Sequence, residues 1–303
     1  MKEINKPSNM KQQKKKIKLI SPSGTVHTDY LDQASEVLTH WGFEVSEGQY
    51  ARAVYGRYAG SESQRIQDLQ DAINDDSLTA ILCSRGGYGL AQIIDKIDFT
   101  PLLRYPKLII GFSDITILHA ALSRMNISSV HAVMAKQLAE FDIEDDSLLT
   151  LREILNGQLP HYHIEPDALN RYGQARGKLV GGNLSVLMGL RNTPFEPDYQ
   201  NNILFIEDIG EEAYRIDRMM QNLRLGGVFE QISGLIVGHF TNCPEDPSMH
   251  KTVKEIILDA VADYEFPVCA HFPAGHEHPN FSLVMNREVD LQVTDEGTTI
   301  SFS

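Results

Sequence analysis

The fold of this chain is decided by a ten-residue stretch that reads Lys107-Leu108-Ile109-Ile110-Gly111-Phe112-Ser113-Asp114-Ile115-Thr116. A short apolar run reaches a small turn, and a sequence typical of a helix begins directly after the serine. A strand that ends abruptly at a helix exposes the serine hydroxyl above the sheet, beside backbone N–H groups that can bind an oxyanion. The stretch lacks the second glycine of the usual nucleophile elbow, so on its own it only makes Ser113 a candidate nucleophile.

The sequence before and after this stretch alternates between strands and helices. Apolar runs at 17–20, 79–83 and 108–112 are separated by segments whose apolar residues recur at helical spacing. Gly42 is expected to end the first of these helices, and Ser61 is a favourable N-cap for the second. This alternation predicts an α/β domain with a largely parallel sheet and helices on its faces.

The pattern changes in the middle of the chain. Residues 161–176 are polar and turn-rich, and we interpret them as a linker between an N-terminal domain, 17–160, and a C-terminal domain, 177–303. The second domain combines strands and helices, and its last segment, from Phe281 to Phe302, alternates without helical periodicity. We therefore predict a mixed second domain with a β-rich end.

Composition and charge narrow the classes of protein to which the chain can belong. Its 303 residues are 42% hydrophobic, which is enough for the cores of two globular domains. The formal net charge of -14 argues against a nucleic-acid-binding protein, because phosphate binding requires clustered Lys and Arg. We expect a small substrate that is cationic or zwitterionic.

Targeting features and cysteines indicate the cytoplasm. Residues 1–16 are basic and polar with no apolar segment after them, so we expect a disordered tail and not a signal peptide. No stretch approaches the roughly 18 uninterrupted apolar residues that cross a bilayer. Cys83, Cys243 and Cys269 are widely spaced, which suits a reducing compartment and gives no zinc-like pair.

Two other strand ends offer the residues that a serine nucleophile requires, a base and an acid that orients the base. Glu207 ends the apolar run 203–206, and His276 lies in a loop bounded by proline and glycine. Loops at strand ends are where α/β folds assemble their sites. Plainer interpretations stay open: Glu207 and Asp208 could cap the next helix, and His276 could bond to loop backbone.

A glycine-rich segment, residues 84–89, follows the apolar run that ends at Cys83. It fails as a phosphate-binding loop, because Gln92 stands where the last glycine would fall. Its glycines can instead let backbone approach a reacting carbonyl oxygen, which makes Gly86 a second oxyanion donor beside Asp114. Cys83 is an alternative nucleophile, although its apolar surroundings favour a buried structural thiol.

Histidines and a strand-to-helix asparagine are further candidates. The histidines that could bind a metal are His161 and His163 in one group and His271, His276 and His278 in another. No H-E-x-x-H or comparable spacing accompanies them, so we predict no metal and no cofactor. Asn183 is a candidate substrate contact, or else the N-cap of a helix.

Taken together, these segments resemble the LD-carboxypeptidase family of serine peptidases, which includes murein tetrapeptide carboxypeptidases and microcin-immunity peptidases. The resemblance extends over nearly the whole chain and rests on the order and spacing of segments 21–24, 85–89, 111–114, 181–184, 206–208 and 275–276. It implies an α/β fold with a Rossmann-like parallel-sheet first domain, similar to flavodoxin and glutamine amidotransferases, and a mixed, β-rich swivelling second domain. It also implies a homodimer.

The resemblance implies a Ser-His-Glu triad, whose motif positions fall on Ser113, His276 and Glu207. The further site residues expected with it are the oxyanion donors Asp114 and Gly86 and the substrate contacts Arg85, Gly87 and Asn183. The implied activity releases the C-terminal D-alanine of cytoplasmic murein tetrapeptides during cell-wall recycling.

Two alternatives to this activity stay open. An immunity-type peptidase would cleave a peptidyl-nucleotide antibiotic, and it would need an aromatic platform for the base. The only tryptophan, Trp41, lies on an early helix, which disfavours that reading. A non-catalytic binding protein could also enclose a small ligand between two αβ domains.

Overall fold

The computed structural model describes residues 15–303. Residues 1–14 of the predicted tail lie outside this range, and Lys16, the last residue of the predicted tail, is the first residue of a strand. The strands are β1 (Lys16–Ile20), β2 (Glu44–Glu47), β3 (Ala80–Cys83), β4 (Leu108–Ile110), β5 (Ser129–His131), β6 (His161–Ile164), β7 (Gly173–Asn183), β8 (Ile203–Ile209), β9 (Gly234–Thr241), β10 (Val268–Cys269), β11 (Leu283–Met285), β12 (Glu288–Thr294) and β13 (Gly297–Phe302). The α-helices are α1 (Thr28–His40), α2 (Glu62–Asn74), α3 (Pro101–Arg104), α4 (Thr116–Arg124), α5 (Ala135–Glu140), α6 (Asp146–Leu155), α7 (Leu184–Leu190), α8 (Ala213–Leu225) and α9 (Val253–Asp259).

The first sheet has the order β11-β5-β4-β3-β1-β2, and β1 to β5 are parallel. All four residues of β3 are buried, because helices cover both faces of the sheet and each face needs apolar side chains. Ser61 caps α2 with a complete capping box. The predicted parallel-sheet N-terminal domain is confirmed.

One strand of this sheet comes from the far end of the chain. β11 pairs antiparallel with β5, with Leu283 opposite His131. The residues predicted as a separate C-terminal domain therefore also complete the first sheet.

The second sheet has the order β10-β9-β8-β7-β12-β13-β6. Strands β7 to β10 are parallel, while β12, β13 and β6 are antiparallel, which confirms a mixed, β-rich second domain. The predicted linker is only partly a connection, since its residues His161–Ile164 form β6 and its last ones begin β7. Only Tyr162 of β6 is buried, so this short edge strand has the polar composition of a loop.

The two sheets contact each other through α4 and through a shared apolar core. The backbone N–H of Asn183, at the end of β7, donates to the hydroxyl of Thr116 on α4 at 3.0 Å. One cluster of buried side chains contains Leu82 of the first sheet together with Phe205 of the second. This packing brings the carboxyl end of β4 near that of β8. Among residues 15–303, no helix is long and apolar enough to cross a membrane.

Candidate active site

Ser113 occupies a strained turn between β4 and α4. It opens a short 3-10 turn that ends at Ile115, and its φ is +67°. The left-handed conformation costs an L-residue about 1–2 kcal/mol, so it persists only where the surrounding structure enforces it. This is the geometry of a nucleophile elbow, reached here without the second glycine.

Glu207 and His276 form a buried pair. The His276 Nδ1 lies 2.7 Å from the Glu207 Oε2, and the glutamate is completely buried. Because Nδ1–H donates to the carboxylate, Nε2 is left as the proton acceptor of the ring. The ring of His276 packs edge-on against Phe112, with ring centroids 4.8 Å apart.

The backbone at Glu207 is irregular. The register between β8 and β9 shifts between Ile206 and Asp208, and such bulges re-aim side chains next to functional sites. Glu207 does not cap the next helix, because the N-cap of α8 is Glu212. Asp208 instead accepts a hydrogen bond from the Ser185 N–H at 2.8 Å.

The loop that carries His276 is attached to helix α6 of the first domain. The backbone N–H of Asn280 donates to the Ser147 hydroxyl at 3.0 Å, and the Asn280 side-chain oxygen accepts from the Gly275 N–H at 2.9 Å. His278 pairs with Asp145, the N-cap of α6, at 2.7 Å. These bonds fix the position of the His276 loop relative to the serine turn.

Ser113 and His276 line one cavity of about 520 Å³. Arg85, Gly86 and Gly87 line the same cavity, so the structure brings these predicted residues together. Gly86 abuts the serine, since a Cβ on Gly86 would lie 2.6 Å from the Ser113 Cβ and 2.9 Å from its Oγ. No acceptor among the described residues receives the Gly86 N–H. This arrangement leaves that donor available beside the serine.

Two of the predicted site residues, Asn183 and Asp114, do not line this cavity. Asn183 is the N-cap of α7, where its side chain accepts the Val186 N–H and donates to Asp208, and it is not among the cavity-lining residues. The Asp114 side chain is also buried, and burial raises the pKa of its carboxyl group. Its hydrogen-bond partners are Ser23, in the loop after β1, and Leu90, at the end of the glycine-rich loop after β3. The sequence predicts a role for the second loop but not these side-chain bonds.

The charges of the cavity differ from those of the whole chain. The basic side chains that line it, besides His276, are those of His27, Arg85 and Lys136, and no carboxylate is among the described lining residues. The expectation of a cationic or zwitterionic substrate rested on the net charge, which sums over the whole surface. The local lining favours a substrate with an anionic group, which a zwitterion also has. Lys136 follows a strand of the parallel sheet, a position that could have marked it from sequence.

Cys83, the alternative nucleophile, and the histidines considered as possible metal ligands lie in other surroundings. Cys83 is buried in the core, and burial raises the pKa of its thiol, which makes it a poor nucleophile. His161 contacts Ser301, while His271 packs beside His239. Within the described part of the chain, no three His, Cys, Asp or Glu side chains are grouped as metal ligands.

Comparisons with known proteins agree with this architecture. Residues 17–132 match the LD-carboxypeptidase N-terminal domain, and residues 176–291 match the LD-carboxypeptidase C-terminal domain. The chain is 31% identical to a probable murein peptide carboxypeptidase of Bacillus subtilis, over 93% of this chain and 90% of the relative. It is 30% identical to the murein tetrapeptide carboxypeptidase of Pseudomonas aeruginosa, over 88% and 89%.

Solved structures extend the comparison to the three-dimensional fold. The muramoyltetrapeptide carboxypeptidase of Oxalobacter formigenes superposes with a TM-score of 0.88 at 25% identity, over 95% of this chain and 98% of that chain. In sequence, the chain is also similar to the microcin self-immunity protein of Escherichia coli, with 23% identity over 88% of this chain and 86% of the relative. The chain belongs to the LD-carboxypeptidase family.

Proposed function

We propose that this protein is a serine LD-carboxypeptidase that removes the C-terminal D-alanine from murein tetrapeptides. The observation that carries the proposal is one cavity lined both by Ser113, in a left-handed turn, and by the histidine that pairs with buried Glu207. Family membership supports the same reaction class. The relatives named for murein peptides support the substrate.

The reaction follows from the roles of these groups. The Ser113 Oγ attacks the carbonyl carbon of the penultimate residue, while His276 Nε2 accepts the hydroxyl proton. Glu207 stabilises the imidazolium, and the N–H groups of Gly86 and Asp114 bind the oxyanion. His276 then gives its proton to the amine of the leaving D-alanine. A water molecule, deprotonated by the same histidine, hydrolyses the acyl-enzyme and releases the tripeptide.

The basic lining suits a substrate that ends in a free carboxylate. Arg85 is exposed to the cavity, and one of its nitrogens already donates to the Thr25 carbonyl at 2.7 Å. That bond orients the guanidinium and leaves further N–H groups for the D-alanine carboxylate. Gly87, beside it, offers backbone close to the same group, and Asn183 stays the third proposed substrate contact.

The alternative function is that of an immunity-type peptidase that acts on a peptidyl nucleotide, as the similarity to the microcin self-immunity protein suggests. Trp41 packs against the apolar core and does not line the cavity. The aromatic rings of the lining are those of Tyr30 and Phe112. A base therefore has no tryptophan on which to stack in the described part of this site.

The test is release of free D-alanine from the murein tetrapeptide, with the Ser113→Ala variant, an added chelator and a peptidyl nucleotide as separate arms. We expect release by the native protein, none by Ser113→Ala, and no effect of the chelator. Release that survives Ser113→Ala would refute the serine mechanism. Cleavage of the peptidyl nucleotide alone would establish the alternative function, and binding without cleavage would indicate a binding protein.

We also infer that the protein acts in the cytoplasm as a homodimer, as the family resemblance implies. Light scattering on the purified full chain tests the dimer, for which a mass of two chains is expected. Fractionation of cells that produce the protein tests the compartment.

A further inference from the structure

The loop that carries Gly86 is attached to its neighbours by buried polar groups. At its start, the Ser84 hydroxyl lies 2.5 Å from that of Ser21. In its middle, the Gly86 carbonyl accepts the Gly24 N–H at 3.0 Å. The loop after β1 and the loop after β3 therefore form one unit beside the serine turn.

The Asp114 carboxylate joins this unit to the nucleophile. Its Oδ2 accepts hydrogen bonds from the Leu90 N–H, at 3.0 Å, and from the Ser23 hydroxyl. Only 3% of Asp114 is exposed, and burial of an unpaired carboxylate would be strongly unfavourable, so these donors are needed. Asp114 directly follows Ser113. One residue thus bonds through its side chain to both loops and through its backbone to the serine.

Arg65 of α2 supports the same two loops with the opposite charge. It is 1% exposed and donates to the Gly89 carbonyl at 2.8 Å and to the Pro22 carbonyl at 3.1 Å. A buried guanidinium requires such acceptors and nearby negative charge, which Glu62 and, from the other side of the two loops, Asp114 provide. Gly89 leaves room for it, because a Cβ there would lie 2.7 Å from an Arg65 nitrogen.

We propose that Asp114 and Arg65 are positioning residues that hold the Gly86 N–H at the serine, so that both oxyanion donors are in place before substrate binds. The inference rests on the proposed serine mechanism. The two donors, the N–H groups of Gly86 and Asp114, lie on separate segments. The Asp114 side chain bonds to the loop after β3, which contains Gly86, and to the loop after β1, which bonds to the Gly86 carbonyl. Loss of this link misplaces a donor that acts in the transition state and leaves substrate binding almost unchanged.

The principal variant is Asp114→Asn, which keeps the shape but removes the negative charge. The amide oxygen that takes the place of Oδ2 is a weaker acceptor for both donors, and buried Arg65 loses a nearby anion. We expect kcat to fall about 100-fold, as for loss of one oxyanion donor, with KM within about threefold. A peptide boronate, whose adduct with the serine places an oxygen in the oxyanion hole, is expected to bind about 100-fold more weakly. Binding of the tripeptide product is expected to be unchanged.

Asp68→Asn is the matched control. Asp68 is also buried in the first domain, accepts a backbone N–H, from Tyr50 at 2.8 Å, and has a pKa raised by burial. Among the described residues its hydrogen-bond donors lie in the loop after β2 and not in the loop 84–90. We expect this variant to lose stability while its boronate affinity, relative to that for the product, stays at the native value.

Two milder variants test the same link should Asp114→Asn fail to fold. Ser23→Ala removes one donor and keeps the carboxylate, and Arg65→Lys keeps the charge but loses the fork of donors. Each is expected to lower kcat and boronate affinity together, by about tenfold. Native kcat in these variants, or a loss of kcat without loss of boronate affinity, would overturn the inference. A native protein that neither cleaves the tetrapeptide nor binds the boronate would instead refute the proposed function.

Discussion

Replacing Ser113 by glycine and by alanine separates the conformational strain of the nucleophile turn from its chemistry. Both variants lose the hydroxyl and are expected to be inactive. They differ in backbone freedom, because the φ of +67° at this position costs alanine about 1–2 kcal/mol and costs glycine almost nothing. Glycine loses more conformational entropy on folding, which offsets about 0.4–1 kcal/mol of that difference. We therefore expect Ser113→Gly to be more stable than Ser113→Ala by about 0.5–1 kcal/mol.

The assay is urea unfolding followed by the fluorescence of Trp41, the single tryptophan, which packs against the core. Ser35, in the middle of α1, provides the matched control, because its backbone is helical. There the usual order applies, and alanine is expected to be more stable than glycine by about 0.5–1 kcal/mol. If glycine is no more stable than alanine at Ser113, the turn stores no strain and the interpretation is wrong.

Three further predictions concern the site and its support. Gly86→Ala places a methyl group 2.6 Å from the Ser113 Cβ, so we expect a fall of about 100-fold in kcat, measured at saturating tetrapeptide, and native kcat would contradict the close packing. Glu207→Gln keeps the shape but removes the charge that stabilises protonated His276; kcat should fall about 100-fold to 10,000-fold while circular dichroism stays native, and a smaller loss would argue against the pair. Burial lowers the pKa of His119 to about 4 from 6.5, so the unfolded chain binds the proton more tightly and stability is lost as the pH falls below 6.5. At pH 4.5 this loss of unfolding free energy is about 2.5 kcal/mol. Urea unfolding of the native protein and of His119→Asn, each at pH 7 and at pH 4.5, measures it, and the variant should lose less stability by this amount. Equal losses in both proteins would show that another group titrates.

The strands of the first sheet could be predicted because burial on both faces leaves a local signal. Every residue of β3 is apolar and buried, and the serine between β4 and the next helix could be recognised locally as a candidate nucleophile. The N-cap alternative for Asn183 was accessible for the same reason, since capping depends on the nearest three residues.

Long-range partners leave no such signal. β11 is three apolar residues whose pairing with β5 depends on the path of the whole chain, and β6 reads as a loop. The buried contacts of Asp114 with Ser23 and Leu90 depend likewise on two distant loops meeting. The basic lining of the cavity could not be predicted from the net charge of -14, because a sum over the chain contains no information about where the basic residues lie.

The placement of β11 has a consequence for synthesis of the protein on the ribosome. The strand follows the whole of β6 to β10 and the His276 loop, yet it covers the outer edge of β5 in the first sheet. During translation this edge is therefore left open until residues 283–285 have emerged, and open edges are prone to pair with other chains. The preceding residues carry the His276 loop, which bonds to α6 hold beside the serine turn. Completion of the sheet and assembly of the proposed site therefore both wait until residues 275–285 have been synthesised.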